Sequence, residues 1–187
     1  MSLIFTQALY LAWWKDYSFQ CEPVDFSYTP KAFQVARVCW YYFLLKIFDW
    51  LDTIFFVLRK KQSHVSFLHV YHHCGMVVFS WIGVKYYPSG HGTFFGLINT
   101  FVHAIMYTYY LLSSMKINMI SWKKHITQLQ MIQFVIIACH MSQIFWTDCE
   151  YPRWIAVTCI TQSVIFLVLF ADFYYYAYVK PTNSATS

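Results

Sequence analysis

Residues 67–84 read Phe67-Leu-His69-Val-Tyr-His72-His73-Cys74-Gly-Met-Val-Val-Phe-Ser-Trp-Ile-Gly-Val84, and this stretch decides the fold. It carries no Asp, Glu, Lys or Arg over roughly the length that crosses the hydrocarbon core of a bilayer. Its histidines stand at i, i+3 and i+4, a spacing that gathers them on one face of a helix. Apolar runs of similar length recur at 32–58, 93–114, 126–146 and 154–178, with polar clusters between them. Long uninterrupted runs exclude a membrane β-barrel, whose segments alternate over about ten residues.

Composition agrees. The 187 residues are 59% hydrophobic and 22% aromatic, and only 11% are charged. Mean hydropathy is +0.42. A water-soluble domain would be about a quarter charged, and nothing here matches a secreted disulfide knot, a collagen or a disordered chain. The expectation is an all-α, polytopic membrane helix bundle forming one domain, with five full spans and a partial one at residues 1–14. That first run has neither the basic start nor the small-residue cleavage site of a signal peptide, so it reads as the tail end of a helix whose beginning is absent. Residues 15–180 would form the core and 181–187 an unstructured tail.

Basic residues orient the bundle. Loops on one side hold Lys15, Lys31, Lys85 and Arg153; those on the other, with the C-terminus, hold Arg59, Lys60, Lys61, Lys116, Lys123, Lys124 and Lys180. The richer side is expected in the cytosol. Of six cysteines, Cys39, Cys74, Cys139 and Cys159 fall in spans, and Cys21 and Cys149 in loops of the opposite side. In an oxidising lumen a Cys21–Cys149 disulfide is permitted, with two unpaired thiols as the alternative.

Ionisable residues inside a membrane are costly and need a partner or a task. Lys46, Asp49 and Asp52 recur every third residue on one face. Asn99, His103, Met106, Tyr107 and Tyr110 form a stripe on the 93–114 run, and Thr127, Gln130 and Gln133 another on the next. At about 1.5 Å per residue from the cytosolic helix ends, Asp52 lies about 9 Å deep, His72 about 8 Å, Tyr107 about 9 Å, His103 about 15 Å and Gln130 about 6 Å. Four helices thus deliver polar faces to one layer, a single buried site in the cytosolic half. Asn99, Gln130 and Gln133 also suit interhelical hydrogen bonding, and Lys46 with Asp49 a structural ion pair. Three histidines on one face have no common packing role. His64, His91 and His125 fall in loops and are expected to be solvated. His140, deeper on the Gln133 face, has cavity lining as one reading, and Cys74 is expected to be packing.

Di-iron membrane oxidoreductases need about eight histidines in several boxes to supply two metal ions. Eight histidines are present, but only one box. No metal is therefore assigned, although a mononuclear site from the box with His103 stays open. The other chemistry is that of imidazole itself, as general base or as nucleophile toward a thioester.

Lys46-Ile-Phe-Asp49-Trp-Leu-Asp52-Thr53 with Phe55-Phe-Val-Leu-Arg59-Lys60-Lys61, then Phe67-Leu-His69-Val-Tyr-His72-His73, Asn99-Thr-Phe-Val-His103-Ala-Ile-Met106-Tyr107-Thr-Tyr-Tyr110 and Thr127-Gln-Leu-Gln130-Met-Ile-Gln133-Phe134 resemble, in order, the motifs of the very-long-chain fatty acid elongases. Cys21-Glu-Pro-Val-Asp25 and Cys149 also resemble family positions. The chain departs in having Asp49 where the family usually has Glu, in lacking a dilysine-type C-terminus, and in missing the family's first helix and most of its second.

The resemblance implies a 3-oxoacyl-CoA synthase of the endoplasmic reticulum membrane, with six of seven helices in a barrel around an acyl tunnel. It condenses acyl-CoA with malonyl-CoA and releases CO2 and CoA, with no cofactor beyond these substrates. On this reading His72 is acylated; His69, His73, His103 and Asp52 assist it; and Lys46, Asp49, Asn99, Met106, Tyr107, Tyr110, Gln130 and Gln133 bind substrate. Arg59, Lys60, Lys61, Lys123 and Lys124 would attract CoA phosphates. Partners would be membrane lipids and other enzymes of the elongation cycle, with no nucleic acid. Competing readings are an inactive or assembly-dependent elongase fragment, a histidine-box oxidoreductase, and a proton-coupled transporter, the last without recognisable repeat halves.

Overall fold

The structure, a computed structural model, describes residue 7 and residues 12–14, 16–60, 67–117 and 120–180, with the side chains of 52, 55–57 and 120 left out. Much of the 1–14 run, all of the 181–187 tail, His64 and Lys61 therefore lie outside the described residues.

Five long helices follow one another: α1 (Pro30–Leu58), α2 (Phe67–Tyr86), α3 (Thr93–Ser114), α4 (Ile120–Ser142) and α5 (Arg153–Tyr174). A 3-10 turn at Gln143–Phe145 extends α4, and a π turn at Tyr175–Val179 extends α5. No strand occurs among the described residues. The protein is a polytopic helical membrane bundle.

Local chemistry sets the helix ends. Thr29 caps α1, its Oγ1 accepting from the Ala32 amide at 3.2 Å, and Pro30 in the first turn has no amide to leave unpaired. At the far end of α3, Lys116 adopts φ +61°, and the amide of Ile117 reaches back to the Leu112 carbonyl at 3.2 Å. Helix α4 starts six residues earlier than its apolar run, because Lys123, Lys124 and His125 form an exposed but helical first stretch. Apolar counting sees only the part of a helix that meets lipid.

Among the described residues, three helical stretches are long and apolar enough to cross a membrane, Phe67–Tyr86, Ser121–Phe145 and Arg153–Val179. Helices α1 and α3 fall outside this group because Lys46, Asp49 and Asp52, or Asn99 and His103, interrupt them. Of these, Lys46, Asp49, Asn99 and His103 are buried. Outward faces carry large apolar side chains such as Val78, Trp81, Ile132, Val135, Val157, Val164 and Val168, as lipid requires.

Helix α1 packs along α2 and α4 along α5, while α3 lies against α4 and touches α1 more lightly. The chain order puts the ends near Arg59, Lys116 and Lys180 on one side, here the basic end. At the opposite end Ile137, Met141, Ile144, Tyr151, Ile155, Ala156 and Cys159 form a core. A cap closes that end. Cys21 is joined to Cys149 by a disulfide, Cα to Cα 5.6 Å. The following segment lies across the α2–α3 loop: the His91 amide donates to the Glu22 carbonyl at 2.8 Å, and the Asp25 amide to Ser89 Oγ at 2.7 Å. Gly90, at φ +77°, is required there, since a Cβ would meet the Pro23 carbonyl oxygen at 2.6 Å.

His91, expected to be solvated, is instead fully buried. Its ring stacks on His140 at 3.9 Å between centroids, and Nε2 meets the His140 carbonyl at 3.0 Å. The cap covers the loop, so a turn-rich sequence became interior. His125 is exposed, hydrogen-bonded to Gln128.

Candidate active site

Helix α2 presents His69, His72 and His73 in its first two turns, as 3.6-residue periodicity demands. The His69 and His73 rings lie 4.3 Å apart, and His72 and His73 5.3 Å. His69 Nε2 shares a 2.9 Å hydrogen bond with Thr53 Oγ1, which ties α2 to α1. Across the bundle, the His72 ring lies parallel to that of His103 on α3, 6.3 Å away. Phe166 of α5 sets its ring against His72 at 5.1 Å. Three helices therefore hold one imidazole.

Behind this pair lies a buried ionic network. Lys46 Nζ donates to Asp49 Oδ2 at 3.1 Å, and the Tyr107 hydroxyl donates to Oδ1 at 2.9 Å. Lys46 and Asp49 are both buried. A buried pair is tolerable only when the remaining lone pairs are also satisfied, which Tyr107 does for the carboxylate. Lys46 Nζ also sits 5.0 Å from the centre of the Tyr42 ring. The Tyr42 hydroxyl in turn donates to Asn99 Oδ1 at 2.9 Å.

Other expected members are placed as follows. Gln130 Nε2 reaches Met106 Sδ at 3.5 Å, a contact between α4 and α3. With α4 beginning at Ile120, Gln130 stands about 15 Å along its helix, of which the first stretch is the exposed segment before Ile126. Gln133 is buried, and its Oε1, like Nδ1 of His103, has no hydrogen-bond partner among the described residues. Tyr110 is exposed, its ring edge-on to Tyr107 and tilted against Tyr109. Arg59, Lys60, Lys123 and Lys124 are exposed at the basic end, with Lys124 over the Tyr174 ring at 5.8 Å. The side chain of Asp52 and all of Lys61 lie outside the described residues. His140 contacts Phe94 and His91.

A cavity of about 640 Å³ opens beside His72. Its walls include Asn99, Phe95, Phe134, Phe166, Gln162 and Ser163, and Cys74 stands at its edge, exposed and not packed as expected. Tyr71 donates to Gln162 Oε1 at 2.8 Å, closing α2 to α5. Tyr42, Tyr71, Gln162 and Ser163 were not anticipated. The adjacent polar pair Gln162-Ser163 in the middle of the most apolar run was the readable signal.

An imidazole facing a large apolar slot whose wall also includes an amide suits attack on a carbonyl carried by a long apolar chain. The model of the ELO family, described as GNS1/SUR4, matches residues 1–186. The chain belongs to the ELO family. It is 46% identical over 181 residues to very long chain fatty acid elongase 7 of Drosophila melanogaster, covering 95% of this chain and 55% of the fly protein. To elongase 7 of Rattus norvegicus it is 46% identical, over 90% of this chain and 62% of that one. To elongase 4 of Mus musculus it is 40% identical, over 91% and 55%. This ELO chain thus spans roughly half the length of the curated relatives it matches.

Proposed function

We propose that this chain carries the condensation site of a very-long-chain fatty acid elongase, a 3-oxoacyl-CoA synthase acting on acyl-CoA and malonyl-CoA. The observation that supports it is the His72 imidazole at the wall of the 640 Å³ apolar cavity, parallel to His103 and with Asn99 in the same wall.

Two half-reactions follow. A ring nitrogen of His72 attacks the acyl thioester carbon, the oxyanion accepts from Asn99, the C–S bond breaks, and CoA leaves with a proton. Malonyl-CoA then loses CO2, and the electrons of that C–C bond form an enolate. The enolate carbon attacks the acyl-imidazole, the C–N bond breaks, the departing ring nitrogen takes up a proton relayed from solvent, and 3-oxoacyl-CoA leaves with His72 restored. Neighbouring histidines hold the ring tautomer and shuttle the proton. On this reading the exposed basic residues Arg59, Lys60, Lys123 and Lys124 receive CoA phosphates, and the basic end faces the cytosol and the disulfide end the lumen of the endoplasmic reticulum. Other enzymes of the elongation cycle would take the product.

Labelled malonyl-CoA incorporation in microsomes of an elongase-deficient host tests this reading. Incorporation lost in His72→Ala at equal expression supports it, as does an acyl adduct on His72 after exposure to acyl-CoA alone. Incorporation unchanged in His72→Ala would overturn it.

A further inference from the structure

Asn99 of α3 shares the wall of the cavity beside His72 with a second amide, Gln162 of α5. Both are held in the same way. The Tyr42 hydroxyl donates to Asn99 Oδ1 at 2.9 Å, and the Tyr71 hydroxyl donates to Gln162 Oε1 at 2.8 Å. A side-chain amide has one acceptor oxygen and two donor hydrogens on nitrogen, so a tyrosine on the oxygen leaves the NH2 group as a donor. A polar side chain in the middle of a membrane helix is costly and calls for a task. Tying α5 to α2 uses the oxygen of Gln162 and leaves its nitrogen without one.

The two amides also stand at one level. Helices α3 and α5 both run from the disulfide end toward the basic end. Asn99 precedes His103 by four residues on α3, and Gln162 precedes Phe166 by four on α5, a step of one turn or about 6 Å along the same face. His103 and Phe166 are the two rings that flank His72, at 6.3 and 5.1 Å between centroids. Each of them therefore has an amide one turn behind it. Tyr71, which holds Gln162, is the chain neighbour of His72, and the Phe166 ring touches both, lying 5.6 Å from that of Tyr71. Much of the remaining wall is apolar, with Met76, Phe95 and Phe134. Donors in so apolar a setting act at low dielectric, where each is worth far more than in water.

We propose that Gln162 is a catalytic residue, its Nε2 donating together with Nδ2 of Asn99 to the oxyanion that forms at the acyl carbon on His72. This rests on the elongase reading. As the ring nitrogen of His72 bonds to the thioester carbon, the C=O π pair moves onto oxygen, and the two NH groups receive that charge. The pair returns as the C–S bond breaks and CoA leaves. The same oxygen is charged a second time when the enolate carbon attacks the acyl-imidazole, and the same donors meet it until the C–N bond breaks. Tyr71 is a positioning residue, since it acts through the amide it holds.

The test mixes the protein with acyl-CoA alone and times CoA release in a single turnover, beside the affinity for an S-alkyl-CoA thioether of equal chain length, which has no carbonyl to become an oxyanion. Gln162→Met removes both the donor and the bond to Tyr71, whereas Tyr71→Phe removes the bond and keeps the donor. Gln162→Met should slow CoA release about 100-fold and leave the thioether affinity unchanged. Tyr71→Phe should slow release about tenfold or less, and lower kcat in the full reaction without raising KM. Gln162→Leu is the second variant of the same kind, used where Gln162→Met lowers thermal stability. CoA release at the wild-type rate without the amide would overturn the proposal. Equal slowing in Gln162→Met and Tyr71→Phe would overturn it too, since a mere tie between α2 and α5 predicts that result, as would a thioether affinity that falls by the same factor as the rate. Wild type that releases no CoA and gains no acyl group would instead overturn the elongase reading itself.

Discussion

The hydroxyl of Tyr42 donates to Oδ1 of Asn99 at 2.9 Å, joining α1 to α3 beneath the histidines. With its oxygen so engaged, the Asn99 amide keeps its NH2 group as a donor. Asn99 also lines the cavity beside His72, so the tyrosine sets the orientation of an amide in that wall. Lys46, over the Tyr42 ring, holds that ring in place.

Removing the hydroxyl should therefore act through Asn99. Asn99→Ala is expected to lower kcat about 100-fold, the usual cost of one oxyanion donor. Tyr42→Phe should lower kcat less and leave KM for acyl-CoA unchanged, because packing is kept and only the amide orientation is released. Steady-state kinetics check both; a rise in KM with kcat unchanged would assign Tyr42 to substrate binding instead.

Breaking the Lys46–Asp49 pair should cost far more stability than removing it. Asp49→Ala leaves a buried ammonium uncompensated, a loss of about 3–5 kcal/mol. Replacing both residues by apolar ones of similar volume should recover most of that. Thermal unfolding in nanodiscs, with double-mutant comparison, measures the difference. Asp49→Glu should be mild only if Tyr107 can still reach the longer carboxylate.

The parts of this architecture that repeat along a helix were legible in the sequence. His69, His72 and His73 share a face by spacing alone, and Asn99 with His103 repeats the pattern on α3. Depth from helix ends put them in one layer, and the parallel His72 and His103 rings agree. What depends on distant chain segments was not legible. Tyr42 is one of sixteen tyrosines, and nothing in its neighbourhood in the sequence sets it apart. His91 sits among turn residues, and nothing local reveals that Glu22 and Asp25 cover its loop. The start of α4 at Ile120 was not legible either, because its first turns are exposed and carry Lys123 and Lys124.

The Cys21–Cys149 link spans a sequence separation of 128 residues. Closing so long a loop restricts the unfolded chain, and loss of such a bridge typically costs about 2–5 kcal/mol. Cys21→Ser and Cys149→Ser should lower Tm equally, and the double variant no further. Reductant should lower wild-type Tm toward the same value and leave the variants unmoved. Unequal single variants would mean that one thiol has a separate structural role.

His91 should make stability depend on pH in a defined direction. Burial holds its pKa below the ordinary value, and the hydrogen bond to the His140 carbonyl only partly offsets this. The groups facing it are the His140 and Tyr151 rings. A base whose folded pKa is depressed takes up its proton more readily when unfolded. Its contribution is thus intact above the unfolded value of about 6.5 and is lost as pH falls from there toward the folded value. His91→Gln retains a donor for the His140 carbonyl but does not titrate. Wild-type Tm should fall more steeply than that of the variant between about pH 7 and pH 5. Asp25, lowered chiefly by its hydrogen bonds to Ser27, acts only in the carboxylate range below and does not confuse the comparison. Parallel curves over that window would show that His91 is protonated alike in both states, and hence that the cap does not exclude water from its ring.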